Sequence, residues 1–506
     1  MQKNQNNKYE LLFDTQALNK EVKQRSVKAG IANLISQAVL FTTTLVRAAI
    51  LARLLSPEDY GVYTMVIVVI SFALIFKDLG LSTATIREKE ITHAQVSNLF
   101  WINTMIGLFS MLVVIAAAPG IVWFYKDSRL FLVALALSVA FLFAGLSVQH
   151  QAILKRQMQF GKIAIIMISA GLGSTLLGIL VAWLRNDYWA LIWMNVANNF
   201  FLMIGFWIFA KWIPGLPSKK AGTKKILKIG LDVAGLNAFS TITRDLDKII
   251  AGRIASAPLL GLYTKGNQVP SLVSGQFRMA FFSVALPALS SLQTEKIRFS
   301  QYYYDFLNLI CWVTIPLAVA LFVFADEIIR IYFGPQWDGS AIFMQIFAIH
   351  ALLMPAVTSL DQVPLALGHS RRYLAAGIVR SLGTIFCVSL GAMLYGVIGI
   401  AAGVAAAIIF TFIPFSRLCI QESPIKLKSF FKILSTPLLT AVAIGGVFYM
   451  LKSIYAADSI FCALLCMFFY FAVILACMLF FDFTGIGRST GSIDFLFRKR
   501  ARKIQT

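Results

Sequence analysis

Long apolar runs separated by short polar breaks make up most of the chain, and a helix that spans a bilayer core needs about 20 predominantly apolar residues. On that criterion fourteen segments predict spanning helices, at 29–53, 60–82, 98–118, 128–149, 161–184, 187–210, 229–252, 261–289, 305–325, 338–367, 373–394, 396–416, 433–452 and 459–482. An even number returns the chain to the side on which it began.

One polar break occurs twice. Ile50-Leu51-Ala52-Arg53-Leu54-Leu55-Ser56-Pro57-Glu58-Asp59-Tyr60-Gly61-Val62-Tyr63-Thr64 aligns without a gap on residues 250–264, with Ile250, Arg253, Ser256, Gly261, Tyr263 and Thr264 identical. Unrelated membrane hairpins also share Gly, Ser and Arg, so the duplication is an expectation for the structure to meet. Taken as a duplication, it joins the first and second helices of one six-helix unit and the seventh and eighth of another. An even-numbered unit enters and leaves on one side, which makes the two units parallel repeats about an axis normal to the membrane, with a substrate path between them. The predicted organisation is a polar segment 1–28, a lobe 29–210, a basic linker 211–228 containing Pro214, Pro217 and several Lys, a lobe 229–416, two further helices within 433–482 and a basic tail 483–506. The fold class is an all-α polytopic membrane protein. Segment 1–28 lacks the short apolar core of a cleavable leader, so none is expected.

Composition agrees with the pattern. Of 506 residues 58% are hydrophobic and only 13% charged, with mean hydropathy +0.77, about half the charge of a soluble globule. The net charge of +22 would point to nucleic acid in a soluble protein; here the basic residues first report sidedness. The breaks on the face of the termini hold 31 Lys or Arg and those on the opposite face hold 7. Short cytoplasmic loops are basic, so both termini are expected in the cytoplasm and no nucleic-acid partner is expected. The six cysteines lie in or at the ends of apolar segments without metal-ligand spacing, and read as small packing residues.

Seven bases remain inside or at the rim of the segments: Arg47, Lys77, Arg244, Lys248, Lys265, Arg278 and Arg380. A charge at the helix centre costs about 2.5–3.5 kcal/mol on insertion scales, so each needs a partner or a water-filled cavity. Lys77 stands beside Asp78 and reads as a snorkelling pair. The other six are candidate substrate-binding residues, and their placement along the helices spreads them over most of the bilayer depth. Each alternatively pairs with Asp232, Asp245, Asp247 or Asp361, but the intramembrane acids are fewer than the bases. A surplus of buried positive charge predicts an anionic cargo or head group, for which Arg supplies bidentate contacts. On the segment 338–367, Pro355 predicts a kink with freed carbonyls, and His350 and Asp361 are the candidates for proton coupling.

There is no phosphate-binding loop, no metal-binding His-Glu motif and no opposite-face loop long enough for a catalytic domain. No cofactor and no chemistry on the substrate are expected, and energy has to come from a proton or sodium-ion gradient or from the cargo's own flow. Lys20-Glu21-Val22-Lys23-Gln24-Arg25-Ser26-Val27-Lys28-Ala29-Gly30, the break at 52–63, Asp78-Leu79-Gly80-Leu81 with Arg87-Glu88-Lys89-Glu90-Ile91-Thr92-His93, and Phe333-Gly334-Pro335-Gln336-Trp337 together resemble the Wzx-type polysaccharide flippases, most closely their WzxC-like colanic-acid exporter branch. The resemblance implies membership of the multidrug/oligosaccharidyl-lipid/polysaccharide flippase superfamily and two six-helix lobes in an inverted V. It also implies lipid-linked oligosaccharide as the cargo in a bacterial inner membrane, with membrane lipids and polysaccharide polymerase or export machinery as candidate partners. It assigns no individual residue. Two other readings stay open: a drug or cation antiporter on the same fold, which would need acidic residues in its cavity, and a polytopic polymerase or ligase, which would need a large outer loop.

Overall fold

The computed structural model of the protein describes residues 22–73, 80–88, 91–218, 245–455 and 460–484; they are helical, and no strand occurs among them. In the first part of the chain the helices are α1 (Val22–Leu54), α2 (Pro57–Ala73), α3 (Leu81–Arg87), α4 (His93–Tyr125), α5 (Leu130–Arg156), α6 (Phe160–Arg185) and α7 (Trp189–Ala210), then α8 over 245–254. There follow α9 (Ala257–Ala280), a π-helical turn at Phe281–Ala285, α10 (Leu286–Ser291), α11 (Lys296–Val323), α12 (Ala325–Tyr332), α13 (Ala341–Ala366), α14 (Ser370–Ile420), α15 (Leu427–Tyr455) and α16 (Ile460–Thr484). Each of the fourteen predicted segments meets a helix, the segment 229–252 only from residue 245 onward. Lys77, Asp78, Asp232, Arg244 and the basic stretch 219–228 lie outside the described residues.

The chain divides into two compact units after Gly261. In the first, α4 packs along α5, α5 and α6 along α7, and α1 along α6. In the second, α11 is central, packed by α13 and α15, with α14 along α13. Its buried residues form one continuous apolar core around Phe299, Tyr303, Leu307, Ile315 and Leu360.

Both copies of the repeated break are tight turns between helices, and the first copy and residues 250–261 of the second fall in the first unit. In the first copy Ser56 and Asp59 cap α2 reciprocally: the Ser56 backbone N–H and hydroxyl donate to Asp59 Oδ2 (2.9 and 2.6 Å), and the Asp59 N–H donates to Ser56 Oγ (3.3 Å). Pro57 takes the first helical position, where its missing N–H has no intrahelical partner to lose. The two turns also touch. A methyl group on Gly61 would sit 1.8 Å from the carbonyl oxygen of Ala257, and one on Gly261 would sit 1.8 Å from that of Pro57. Residue 57 corresponds to 257 and 61 to 261, so the contact is reciprocal, as a local two-fold relation requires. Only glycine lets the backbones approach so closely.

The 51-residue α14 is two helices. An unbroken helix of that length would extend about 77 Å, more than twice a hydrocarbon core. The backbone leaves the helical region at Tyr395 and Gly396, where Gly396 takes φ 59° and ψ −133°, a region that favours glycine. The halves then fold back on each other, with Gly391 and Gly399 each within 2.0 Å of the other's carbonyl oxygen if given a methyl group. The expected break between 373–394 and 396–416 is therefore present.

Residues 211–218 are a strap fixed to the start of α4. Trp212 is buried; its indole N–H donates to His93 Nδ1 (3.0 Å) and its carbonyl lies 3.2 Å from His150 Nε2. Trp101 donates to the Gly215 carbonyl (2.9 Å), the Gly215 N–H donates to Ser97 Oγ (2.9 Å), and the Asn98 amide pairs with both backbone groups of Ser218. Between α4 and α5, Arg129 donates to both oxygens of Asp127 and to Glu58 Oε1 (2.7 Å). Those hydrogen bonds hold the Asp127 carboxyl below the usual carboxylate range.

Candidate functional site

The candidate bases divide between the two units and differ in how their charge is met. In the first unit Arg47 on α1 is half-buried and acts electrostatically on Tyr63 of α2. The Tyr63 hydroxyl accepts a hydrogen bond from Asn195 of α7 (3.2 Å). On α8 the Lys248 ammonium donates to Asp245 Oδ1 at 2.6 Å, and Ser71 Oγ of α2 lies 3.2 Å from Asp245 Oδ2. Asp245 and Asp247 are both buried. The alternative left open by the sequence, pairing within the helix, is thus realised for Lys248. A paired ammonium offers less charge to a ligand than a free one.

Lys265 on α9 has a different place from the one expected of a cavity-facing base. It is 1% exposed, and its ammonium lies 4.6 Å from the ring centre of Phe333 and 5.2 Å from that of Trp337. Both rings are themselves buried. The stretch Phe333-Gly334-Pro335-Gln336-Trp337 therefore closes over Lys265 as an aromatic enclosure, a desolvated cation–π arrangement. The lysine packs α9 against the 333–340 segment.

The second unit brings Arg278, Arg380 and Asp361 together. Arg380, on the first half of α14, donates through Nη1 to Asp361 Oδ2 on α13 and lies 5.7 Å above the ring of Phe415. Arg278, near the end of α9 and one turn before the π-helical turn, is exposed and acts electrostatically on both Asp361 and Tyr373. Among the described residues Arg278 makes no hydrogen bond. π-Turns interrupt the regular ladder and recur at functional positions. His350 is within electrostatic reach of Arg380. It stands eleven residues before Asp361 on α13, about 16 Å along the helix, so the two proton-coupling candidates are not one direct relay. Between them, Pro355 leaves the Ala351 carbonyl without its helical donor. A small recess at that point is lined by Pro355 with the hydroxyl-bearing Ser274, Thr314 and Thr358.

Sequence reading missed one polar group in the first unit. Gln149 on α5 donates to Asn103 of α4 (2.8 Å) and accepts from Thr85 of α3 (2.7 Å), and Arg156 donates to the Thr85 and Glu88 carbonyls. His150 stacks on Trp207 at 4.4 Å beside them. Adjacent Gln and His in an apolar segment were the available signal, and their partners identify them as the fastening of α3 and the strap.

Residues 50–342 match the polysaccharide biosynthesis protein family, more than half of the chain. The chain belongs to that family. It is 22% identical to the lipopolysaccharide biosynthesis protein WzxC of Escherichia coli (strain K12) over 390 residues, 76% of this chain and 78% of that protein. It is 24% identical to the teichuronic acid biosynthesis protein TuaB of Bacillus subtilis (strain 168) over 59% of this chain and 62% of the relative. The succinoglycan biosynthesis transport protein ExoT of Rhizobium meliloti (strain 1021) is 22% identical over 71% and 73%. The WzxC-like resemblance seen in the short motifs therefore holds along most of the chain. Among solved structures, the lipid II flippase MurJ in an inward closed conformation superposes with a TM-score of 0.72 at 17% identity, covering 90% of this chain and all but 1% of that one (99%). An inward-facing multidrug resistance MATE transporter of the MOP superfamily gives 0.59 at 13% identity over 78% and 100%. These two similarities establish the shared helical fold. The protein is a multi-pass membrane protein of the polysaccharide biosynthesis protein family, similar to WzxC.

Proposed function

We propose that this protein turns a polyprenyl diphosphate-linked oligosaccharide across the bacterial inner membrane by alternating access of its two lobes, changing no bond in the cargo. The single observation that carries the reading is that two arginines of the second unit, Arg380 by a hydrogen bond and Arg278 electrostatically, act on one acid, Asp361. Two guanidiniums against one carboxylate leave net positive charge, which favours a multiply charged phosphate group. Arg47, Arg244 and Lys248 belong to the same proposed path, Lys248 in a form already partly neutralised by Asp245. The names of the relatives agree on the cargo's kind: lipopolysaccharide biosynthesis, succinoglycan transport and lipid II flipping. Both termini lie in the cytoplasm on this reading, and the driving gradient is of protons or sodium ions.

The test is chemical. A strain lacking the protein accumulates lipid-linked oligosaccharide on the inner leaflet, seen by mass spectrometry of extracted lipids. Restoring the wild-type chain clears it, whereas Arg278→Ala and Arg380→Ala at matched expression do not. Clearance by both variants at the wild-type rate would overturn the reading. Absence of any accumulated lipid-linked sugar would favour the antiporter instead.

A further inference from the structure

Asp361 is an awkward neighbour for an anion-binding arginine. Its Oδ2 accepts from Arg380 Nη1, while its Oδ1 is buried and has no hydrogen-bond partner. The Asp361 side chain is 14% exposed and that of Arg380 is 38% exposed, so the carboxylate is the more buried partner of the pair. Only Nη1 of Arg380 donates a hydrogen bond among the described residues, which leaves Nε and Nη2 for another acceptor. Arg278 of α9 acts electrostatically on the same carboxylate, and all three charges act on Tyr373.

Resting on the diphosphate reading above, we propose that Asp361 is a resident counter-ion that occupies Arg380 when no cargo is bound and competes with the cargo's diphosphate when it is. The physical case has two sides. An unpaired, partly buried guanidinium carries a desolvation penalty, and the carboxylate offsets it in the empty state. A bound diphosphate then sits beside a like charge, which weakens its hold on Arg380 and Arg278 and leaves the complex able to dissociate. A transporter requires such moderated affinity, because a cargo bound too tightly is never released. Coupling between charged sites of this sort is typically on the order of 5–150-fold in affinity. Asp361 is in this sense a positioning and release-setting residue.

The test uses the purified full-length chain in neutral detergent, with farnesyl diphosphate as the probe and farnesol as its uncharged control, and dissociation constants from calorimetric titration. Asp361→Asn removes the charge with little change of shape and is expected to tighten farnesyl diphosphate about tenfold while leaving farnesol unchanged. Asp361→Ser is a second variant, expected to act in the same direction. The double variant Asp361→Asn with Arg380→Gln loses the gain. In cells Asp361→Asn slows clearance of lipid-linked sugar although binding is tighter, a split that Arg380→Gln, weak in both, does not show. Unchanged or weaker binding in both Asp361 variants, with wild type still preferring farnesyl diphosphate to farnesol, would overturn the counter-ion role alone. Equal binding of the two probes by wild type, unaffected by Arg278→Gln or Arg380→Gln, would overturn the diphosphate reading and this role with it.

Discussion

At the scale of single residues, the intramembrane bases sort by what meets their charge. Lys248 has a carboxylate at 2.6 Å, Lys265 has two aromatic faces, and Arg380 has Asp361 and the ring of Phe415. The i, i+3 pair of Asp245 and Lys248 is legible from helical spacing alone. The enclosure of Lys265 is not, because Phe333 and Trp337 come from a segment about seventy residues away that no local pattern connects to it. Lys265 thus yields a prediction of stability. Lys265→Ala removes the stem from between two buried rings and is expected to cost about 2–4 kcal/mol, by loss of packing and of the cation–π contact. Lys265→Met keeps the stem and places a polarisable sulfur against the rings, so its loss is smaller. Thermal melting of the detergent-solubilised protein measures both. Equal melting of Lys265→Ala and wild type would mean that the enclosure contributes nothing to the fold.

At the scale of elements, the repeated break was legible as a hairpin, down to its capping serine and its proline. What the pattern did not disclose is that the two copies lie against each other. Sequence identity at positions 61 and 261 looks the same whether glycine serves a turn or a crossing, and both glycines have helical surroundings that any small residue would tolerate. The crossing is what excludes a side chain. Gly61→Ala forces the backbone of α2 away from Ala257 and is expected to destabilise the first unit by about 1–3 kcal/mol, as overpacking does. Gly261→Ala acts on the same contact from the other side. Once one substitution has separated the helix starts, the second has little left to displace, so the double variant should lose clearly less than the sum of the singles. Strict additivity in thermal or denaturant melts would show that the two glycines act independently. The strap at 211–218 teaches a similar lesson: its Pro and Lys mark it as a linker, yet Trp212 and the side chains of Ser97, Asn98 and Trp101 fasten it. A tryptophan in a basic linker was the only local sign.

At the scale of the whole molecule, parity decides topology, and parity turns on one dipeptide. The chain from Ser370 to Ile420 is helical at both ends of the break, and if it were a single tilted span the termini would lie on opposite sides of the membrane. Tyr395 and Gly396 break that span, and the close approach of Gly391 to Gly399 shows that the second half returns along the first. The charge distribution argues independently for the same outcome, since 31 of the loop Lys and Arg fall on one face only when this segment counts as two. The prediction follows from those two arguments together. Alkaline phosphatase, which folds only outside the cytoplasm, should be active when fused after Tyr395 and inactive when fused after Gln421 or at the chain's end. A fluorescent protein that folds only inside the cytoplasm should show the reverse. Phosphatase activity at both 395 and 421 would mean that the break does not return the chain. Full inversion of the pattern would keep the helix count and overturn the assignment of the basic face to the cytoplasm. The sites distinguish these cases because 395 and 421 lie at the two ends of one helix half, and only a true re-entry puts them on opposite sides.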